Sequence, residues 1–207
     1  MNSFQTEQEV FWAGKFGDDY IQRNQDDWLL ASNIALFSSI LKRTRDVKSL
    51  IEFGANIGMN IHALKNLLPN ANLSAIEINQ TAVNELKKIQ NLQVHHESIL
   101  NFTSPIKYDF VFSKGVLIHI EPSILKQVYQ TMYESSQCYI CVIEYYNPTP
   151  MEIPYRGFSE KMYKRDFAGE MMDIYPDLQL VDYGFAYHRD PVFMQGDATW
   201  FLMEKRK

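Results

Sequence analysis

The residues best placed to do chemistry lie in Ile51-Glu52-Phe53-Gly54-Ala55-Asn56-Ile57-Gly58-Met59-Asn60, followed further along by Glu77 in Ala75-Ile76-Glu77-Ile78. An acidic residue and then Gly-x-x-x-Gly, where an apolar run gives way to a helical pattern, marks a strand–turn–helix junction. Such junctions lie at the carboxyl edge of open α/β sheets, where ligands bind. Gly54 and Gly58 permit positive φ or a close backbone approach. Glu77 closes the next apolar run, and a carboxylate at that strand end accepts the hydroxyls of a ribose. Counting excludes two phosphate-binding loops. GxGxxG from Gly54 requires glycine at 56 and 59, where Asn56 and Met59 stand, and a P-loop requires Gly-Lys-Ser/Thr, whereas no lysine lies between Gly54 and Lys65. That leaves a nucleoside ligand without pyrophosphate, a description that S-adenosyl-L-methionine meets.

Two other groups of reactive side chains have simpler explanations. Cys138-x-x-Cys141 sits in QCYICVIEY, which is rich in β-branched and aromatic residues and has no helix start. A redox pair needs a helix N-terminus, and zinc needs two further ligands, so two buried strand cysteines on opposite faces are expected. His95 and His96 beside Glu97 mimic a metal cluster, but adjacent strand residues face opposite ways, and no metal is expected.

Positioning the glycine loop requires a sheet. Strands are expected at Ser49–Phe53, Asn72–Glu77, Gln93–His96, Tyr108–Phe112, Tyr139–Glu144, Gln179–Tyr187 and Ala198–Glu204. Helical spacing appears in Leu30, Ile34, Phe37 and Leu41, in Ile61, Leu64 and Leu68, in Ala82, Val83, Leu86 and Ile89, in Leu125, Val128, Tyr129 and Met132, and in Phe167, Met171 and Ile174. Five strands linked through helices, then two with a short link around 182–196, predict a mostly parallel Rossmann-like sheet. One antiparallel strand is expected near an edge. The chain is expected to be a single domain, with residues 1–45 a helical N-terminal cap and 46–207 the core.

Composition narrows the function. With 207 residues, 46% hydrophobic, 22% charged and a net charge of −5, the chain has neither the make-up of a disordered segment nor a Lys/Arg run for phosphate contacts. Nucleic acid is therefore not an expected partner. The most apolar stretch, Trp28 to Leu41, is broken by Ser32, Asn33, Ser38 and Ser39, well short of the ~18 apolar residues of a membrane span. The start, MNSFQTEQEVF, lacks the basic and apolar regions of a signal peptide, and a cytoplasmic location is expected.

Beyond the loop, the chain resembles the class I S-adenosylmethionine-dependent methyltransferases and, more narrowly, the methylases associated with pseudaminic acid biosynthesis. The resemblance rests on Phe11-Trp12-Ala13-Gly14-Lys15-Phe16-Gly17-Asp18-Asp19-Tyr20 with Arg23-Asn24, on Lys114-Gly115-Val116-Leu117-Ile118-His119-Ile120, and on Glu144-Tyr145-Tyr146-Asn147-Pro148-Thr149-Pro150. It continues through Tyr155-Arg156-Gly157, Lys164-Arg165-Asp166-Phe167-Ala168 and Thr199-Trp200-Phe201-Leu202. It implies a seven-stranded sheet with the last strand antiparallel, helices on both faces, and S-adenosylmethionine as cofactor, yielding S-adenosylhomocysteine. Glu52, Gly54, Ala55, Asn56 and Gly58 should surround the methionine part. Glu77, with Ile78, should take the ribose, and Ser98 and Ile99 should frame the adenine. Lys114 should approach through its backbone, and Tyr20 and Arg23 should reach the methionine carboxylate. Many methyltransferases carry aspartate where Ser98 stands.

Methyl transfer is an in-line displacement, helped mainly by positioning and desolvation. His119 is the candidate general base, or else a group that shapes the acceptor site. Tyr145, Tyr146, Asn147 and Tyr155 are expected to form an acceptor wall, with Arg156 and Arg165 holding a carboxylate or phosphate. Asn147-Pro148 follows the fifth strand, unlike the Asn/Asp-Pro-Pro-Tyr that follows the fourth strand in amino methylases of bases and glutamine. The expected acceptor is a nonulosonic acid or its nucleotide-sugar precursor. An unrelated small molecule, or a noncatalytic cofactor-binding role beside glycan enzymes, are the rival readings. Oligomeric state is left open.

Overall fold

Apolar runs dense in β-branched and aromatic residues become the strands. The computed structural model describes residues 4–21 and 27–206. Its strands are β1 (Ser49–Phe53), β2 (Asn72–Glu77), β3 (Leu92–His96), β4 (Tyr108–Lys114), β5 (Ser136–Glu144), β6 (Met151–Glu152), β7 (Tyr163–Lys164), β8 (Leu178–Ala186) and β9 (Ala198–Lys205). Seven of them form one sheet in the order β3-β2-β1-β4-β5-β9-β8, and β6 and β7 pair separately. β1 to β5 run parallel, so their carboxyl ends share one edge. The expected antiparallel strand is β9, the last in the chain, lodged between β5 and the edge strand β8.

Alternation along each strand feeds two cores, because successive side chains point to opposite faces. On one face Leu50, Phe110, Phe112 and Cys141 meet Phe37 and Ile40 of α3 (Asp27–Leu41), Ile61 and Leu64 of α4 (Met59–Leu67), and Leu86 of α5 (Gln80–Leu86). On the other, Ile51, Val111, Ile140 and Val142 meet Val128, Tyr129 and Met132 of α6 (Leu125–Ser135) and Phe167 and Met171 of α7 (Phe167–Ile174). Each fully buried aliphatic or aromatic side chain contributes about 1.5–3 kcal/mol, and the central strands are buried on both faces.

The N-terminal segment divides. α1 (Glu7–Ala13) and α2 (Lys15–Ile21) lie over the carboxyl edge, where Asn79, just past β2, donates through Nδ2 to the Trp12 carbonyl (3.2 Å) and to Asp18 Oδ1 (3.0 Å). α3 instead joins a helical layer of the sheet, so within residues 1–45 the described cap is α1 and α2. α1 begins with a capping box: Thr6 Oγ1 accepts from the Glu9 N–H, and Glu9 Oε2 accepts from the Thr6 N–H at 2.8 Å.

Cys141 is buried and Cys138 half-buried, both free. A register shift, with Tyr108 facing Ser136 but Phe110 facing Tyr139, inserts an extra β5 residue beside Cys138. This bulge breaks the alternation, and Cys138 packs against the same core as Cys141 rather than opposite it. Among the described residues no helix is long and apolar enough to cross a membrane, and no His/Cys/Asp/Glu group is arranged to hold a metal.

Candidate active site

A cavity of about 210 Å³ opens at the carboxyl edge beneath the cap. Its floor is the glycine loop. Gly54 has φ +76° and its missing Cβ would come within 2.7 Å of Val116 Cγ2; Gly58 has φ +85° and would meet Ile89 Cδ1 at 2.7 Å. Asn56 between them is also left-handed, at φ +48°, a conformation its short polar side chain tolerates. Glu77 fixes this loop from the neighbouring strand. Its Oε2 accepts from the Asn56 N–H (2.7 Å), and Oε1 accepts from Ile78 (2.9 Å) and Asn79 (2.8 Å). Burial pushes the Glu77 pKa up, while those N–H groups and His96 pull against it. A carboxylate offers about four acceptor positions, so one remains for a ligand hydroxyl.

Under the loop lies a set of charged and amide groups. Glu52 is fully buried, and desolvation raises its pKa to about 8, with Asn60 and Lys114 opposing. Asn60 Nδ2 donates to Glu52 Oε1, while Glu52 Oε2 and Asn60 Oδ1 have no partner among the described residues. Lys114 follows Phe112 on the same face of β4 and reaches Asn33 Oδ1 of α3 at 3.2 Å. Desolvation lowers its pKa to about 8. Asn33 Oδ1 also accepts from Gln195 (3.0 Å), and Asn33 Nδ2 is buried and unpaired among the described residues. Asn33 thus adds a bare donor next to Lys114, and Glu52 and Asn60 each add a bare acceptor.

The segment after β4 carries His119 and is organised by Glu144 at the end of β5. Glu144 Oε1 accepts from Ser113 Oγ (3.0 Å) and from the Val116 and Leu117 N–H groups (each 3.1 Å). Burial raises the Glu144 pKa to about 7 against those donors. His119 is buried, with its ring against Trp12 (4.7 Å) and Tyr155 (4.9 Å). A carbonyl oxygen only accepts, so the 2.6 Å contact between Nδ1 and the Lys161 carbonyl places the proton on Nδ1 and leaves the Nε2 lone pair available. Desolvation lowers the His119 pKa to about 4. The imidazole is therefore neutral at pH 7 and only weakly basic.

The expected cofactor residues largely converge. Tyr20, Gly54, Ala55, Asn56, Glu77, Ile78, Ser98, Ile99 and Lys114 line the cavity; Glu52 and Gly58 lie beneath it, and Arg23 falls outside the described residues. Lys114 contributes its side chain, where only its backbone was expected. Trp12 packs in the cap against Phe16 (5.4 Å) and also lines the cavity. His95 turns its ring to Phe102 (5.0 Å), whereas His96 Nε2 meets the Ile78 carbonyl (3.2 Å).

Of the expected acceptor wall, none of Tyr145, Tyr146, Asn147, Tyr155, Arg156 and Arg165 lines this cavity. Arg165 is bound to Glu170 (2.7 Å), and Tyr146 bridges to Arg165 and packs on Phe201 (5.6 Å). Tyr145 lies under Lys164 (5.3 Å), Asn147 turns back to the Thr149 carbonyl, and Arg156 lies exposed over Tyr155 (5.9 Å). The excursion between β5 and α7 packs instead against the cap. Phe158 meets Phe11 (5.3 Å) and Phe16 (6.0 Å), and Gln8 donates to the Glu160 carbonyl (3.2 Å). Sequence reasoning missed Glu144, Asn33, Asn60 and Glu9. For Glu144 a signal existed, since it ends an apolar strand just as Glu52 and Glu77 do.

No protein-family model matches this sequence, and no curated protein sequence is similar to it. Solved structures are similar. A magnesium protoporphyrin IX methyltransferase from Synechocystis with S-adenosylmethionine bound has a TM-score of 0.67 at 11% identity, covering 100% of both chains. A 1,6-didemethyltoxoflavin-N1-methyltransferase from Burkholderia thailandensis, bound to its acceptor and S-adenosylhomocysteine, scores 0.69 at 9% identity over 97% of this chain and 87% of that one. An amino pentose methyltransferase from Micromonospora echinaspora scores 0.64 at 8% identity over 93% and 97%. The fold is that of the class I S-adenosylmethionine-dependent methyltransferases.

Proposed function

We propose that this protein transfers a methyl group from S-adenosylmethionine to a small-molecule acceptor. The observation that carries this reading is the floor. Buried, unpaired acceptors on Glu52 and Asn60 and an unpaired donor on Asn33 beside the Lys114 ammonium complement an amino-acid zwitterion. Next to them Glu77 keeps one acceptor position for a ribose hydroxyl. An unpaired buried polar group costs about 1–3 kcal/mol, which a ligand of this polarity recovers.

Asn60, with Glu52 behind it, would hold the ammonium, Lys114 and Asn33 the carboxylate, Glu77 the ribose, and Ser98 with Ile99 the base. S-adenosylmethionine supplies an electrophilic methyl group on a sulfonium. Glu144 holds the post-β4 segment, and with it His119, against the cavity. His119 Nε2 accepts a hydrogen bond from the acceptor's hydroxyl or amine and orients its lone pair. Its weak basicity suits orientation and late proton uptake better than early deprotonation. The cap excludes water.

For the acceptor we propose a nonulosonic acid of the pseudaminic type or its nucleotide-sugar precursor, a reading that rests on the resemblance of the Phe11–Tyr20, Glu144–Pro150 and Lys164–Ala168 segments to methylases of that pathway. Likeness to an amino pentose methyltransferase fits a sugar acceptor. Arg165 is committed to Glu170, which leaves Arg156, exposed beside Tyr155 and outside the cavity, for an acid group on the part of the acceptor that projects from it.

Thermal unfolding with S-adenosylmethionine at a hundred times its Kd is expected to show about 2.7 kcal/mol of stabilisation, roughly 5–10 °C. No shift in the folded protein would overturn the cofactor assignment. Formation of S-adenosylhomocysteine with a panel of acidic sugars and sugar nucleotides tests the acceptor. Cofactor binding with no turnover on any acceptor, acidic or neutral, would favour the noncatalytic role.

A further inference from the structure

One carboxylate of the cap has no part in the floor. Glu9 of α1 is buried, 8% exposed, and lines the cavity. Its Oε2 is taken by the Gln5 and Thr6 N–H groups in the capping box. Its Oε1 is buried with no partner among the described residues. A cap needs only one of the two oxygens, and an unpaired buried acceptor is costly, so the second oxygen points to a donor that arrives with the ligand.

Its place in the fold indicates which donor. Gln5 Nε2 donates to Asn101 Oδ1 (2.6 Å), which pins the first turn of α1 to the segment after β3. The same segment supplies Ser98, Ile99 and Leu100 to the cavity. With the ribose at the end of β2 and the amino acid over the β1 loop, a nucleoside base extends to the next strand outward, β3. Ser98 brings no charge there, and its Oγ already accepts from the Leu100 N–H (3.0 Å). Glu97 and Glu121 also line the cavity, but neither has a buried unpaired oxygen.

We propose that Glu9 receives the exocyclic amine of the adenine, so that the cap, not the sheet, reads the base. The proposal rests on the S-adenosylmethionine assignment. It makes base recognition and cap closure one event, and it sets a carboxylate oxygen against the carbonyl of any 6-oxo purine.

The test is calorimetric titration of S-adenosylhomocysteine and S-inosylhomocysteine, which differ at one purine edge (amine and bare N1 against carbonyl oxygen and N1–H), into wild type, Glu9→Gln and Glu97→Gln. Wild type should prefer the amine form by about tenfold or more, as for a hydrogen bond to a charged group. Glu9→Gln keeps the capping box through its single amide oxygen, because glutamine also serves at that position, and it therefore turns an NH2, a donor only, to the base. The preference should be lost or reversed with melting temperature preserved, while Glu97→Gln leaves it intact. A preference that survives Glu9→Gln, is absent from wild type, or collapses in Glu97→Gln overturns the proposal. Failure of folded wild type to bind either nucleoside overturns the cofactor assignment itself, and this inference with it.

Discussion

The floor and the roof of the cavity are built in opposite ways. The floor is a backbone device: a loop with three left-handed residues, tied by Glu77 on one side and by Glu144 through the post-β4 segment on the other, each carboxylate accepting three or more donors. The roof, α1 and α2, is held mainly by ring contacts to Tyr155 and Phe158, the Asn79 and Gln8 bonds, and an ion pair between Lys161 and the exposed Glu7. Breaking a floor contact therefore leaves buried polar groups unpaired, whereas breaking a roof contact exposes rings at an edge. Preorganisation is concentrated in the floor, and opening for exchange is assigned to the roof.

The largest effect should come from the floor. Glu144→Ala strands the Ser113 hydroxyl and two N–H groups, and urea unfolding should show a loss of about 3 kcal/mol or more. A smaller change would mean that water replaces the carboxylate and that the floor is less rigid than its bonding implies.

Titration sharpens the same contrast. The folded-state pKa of Glu52, about 8, lies above its unfolded value. Both states are protonated in acid, and between pH 5 and 8 the unfolded chain has lost a proton that the fold retains. Stability without ligand should thus fall as pH rises through that window. A bound ammonium favours ionised Glu52, so cofactor binding at pH 7 should release on the order of one proton. Calorimetry in buffers of different ionisation enthalpy reads this, and Glu52→Gln should abolish it.

On the roof, Trp12→Ala removes a ring that touches both His119 and the cavity. Affinity for S-adenosylhomocysteine should drop about tenfold, while global stability changes by less than about 1 kcal/mol, because α1 opens locally. Hydrogen exchange confined to α1 and α2 would mark that opening, and a global loss would merge roof with floor. Lys161→Ala should cost about 1 kcal/mol or less, because its partner Glu7 is exposed and the loss is mainly the packing of its stem over Phe11, while the backbone carbonyl that orients His119 is unchanged. Finally, turnover should show no inflection near pH 6.5 from His119, whose pKa of about 4 keeps it neutral from pH 6 to 8. An inflection there that vanishes in His119→Asn would contradict its buried setting.

Much of the floor was legible in the sequence because its determinants are local. Gly54, Asn56 and Gly58 follow β1 directly, and Glu77 ends the adjacent strand in register with it. The seven main strands appear within a few residues of their expected bounds, because β-branched and aromatic runs bounded by turn residues leave little ambiguity, least of all in the central strands buried on both faces. That the tyrosines and arginines of 145–165 lie off the cavity was not legible, for a physical reason: residue type advertises sugar and acid binding, but not direction. Arg165 satisfies Glu170, and Phe158 satisfies the cap.

The sequence by itself determined the order of strands and helices, the glycine loop and the acidic residues at the strand ends, since these follow from periodicity and from conformations few residues adopt. Only the tertiary structure decided which polar atoms stay bare, which proton His119 carries, and that Glu9 faces the cavity. Those outcomes depend on contacts such as Gln5 with Asn101 and Gln8 with Glu160, between residues far apart in the chain. Unpaired groups of that kind arise only when packing excludes water from both sides, and no spacing along a chain encodes that exclusion.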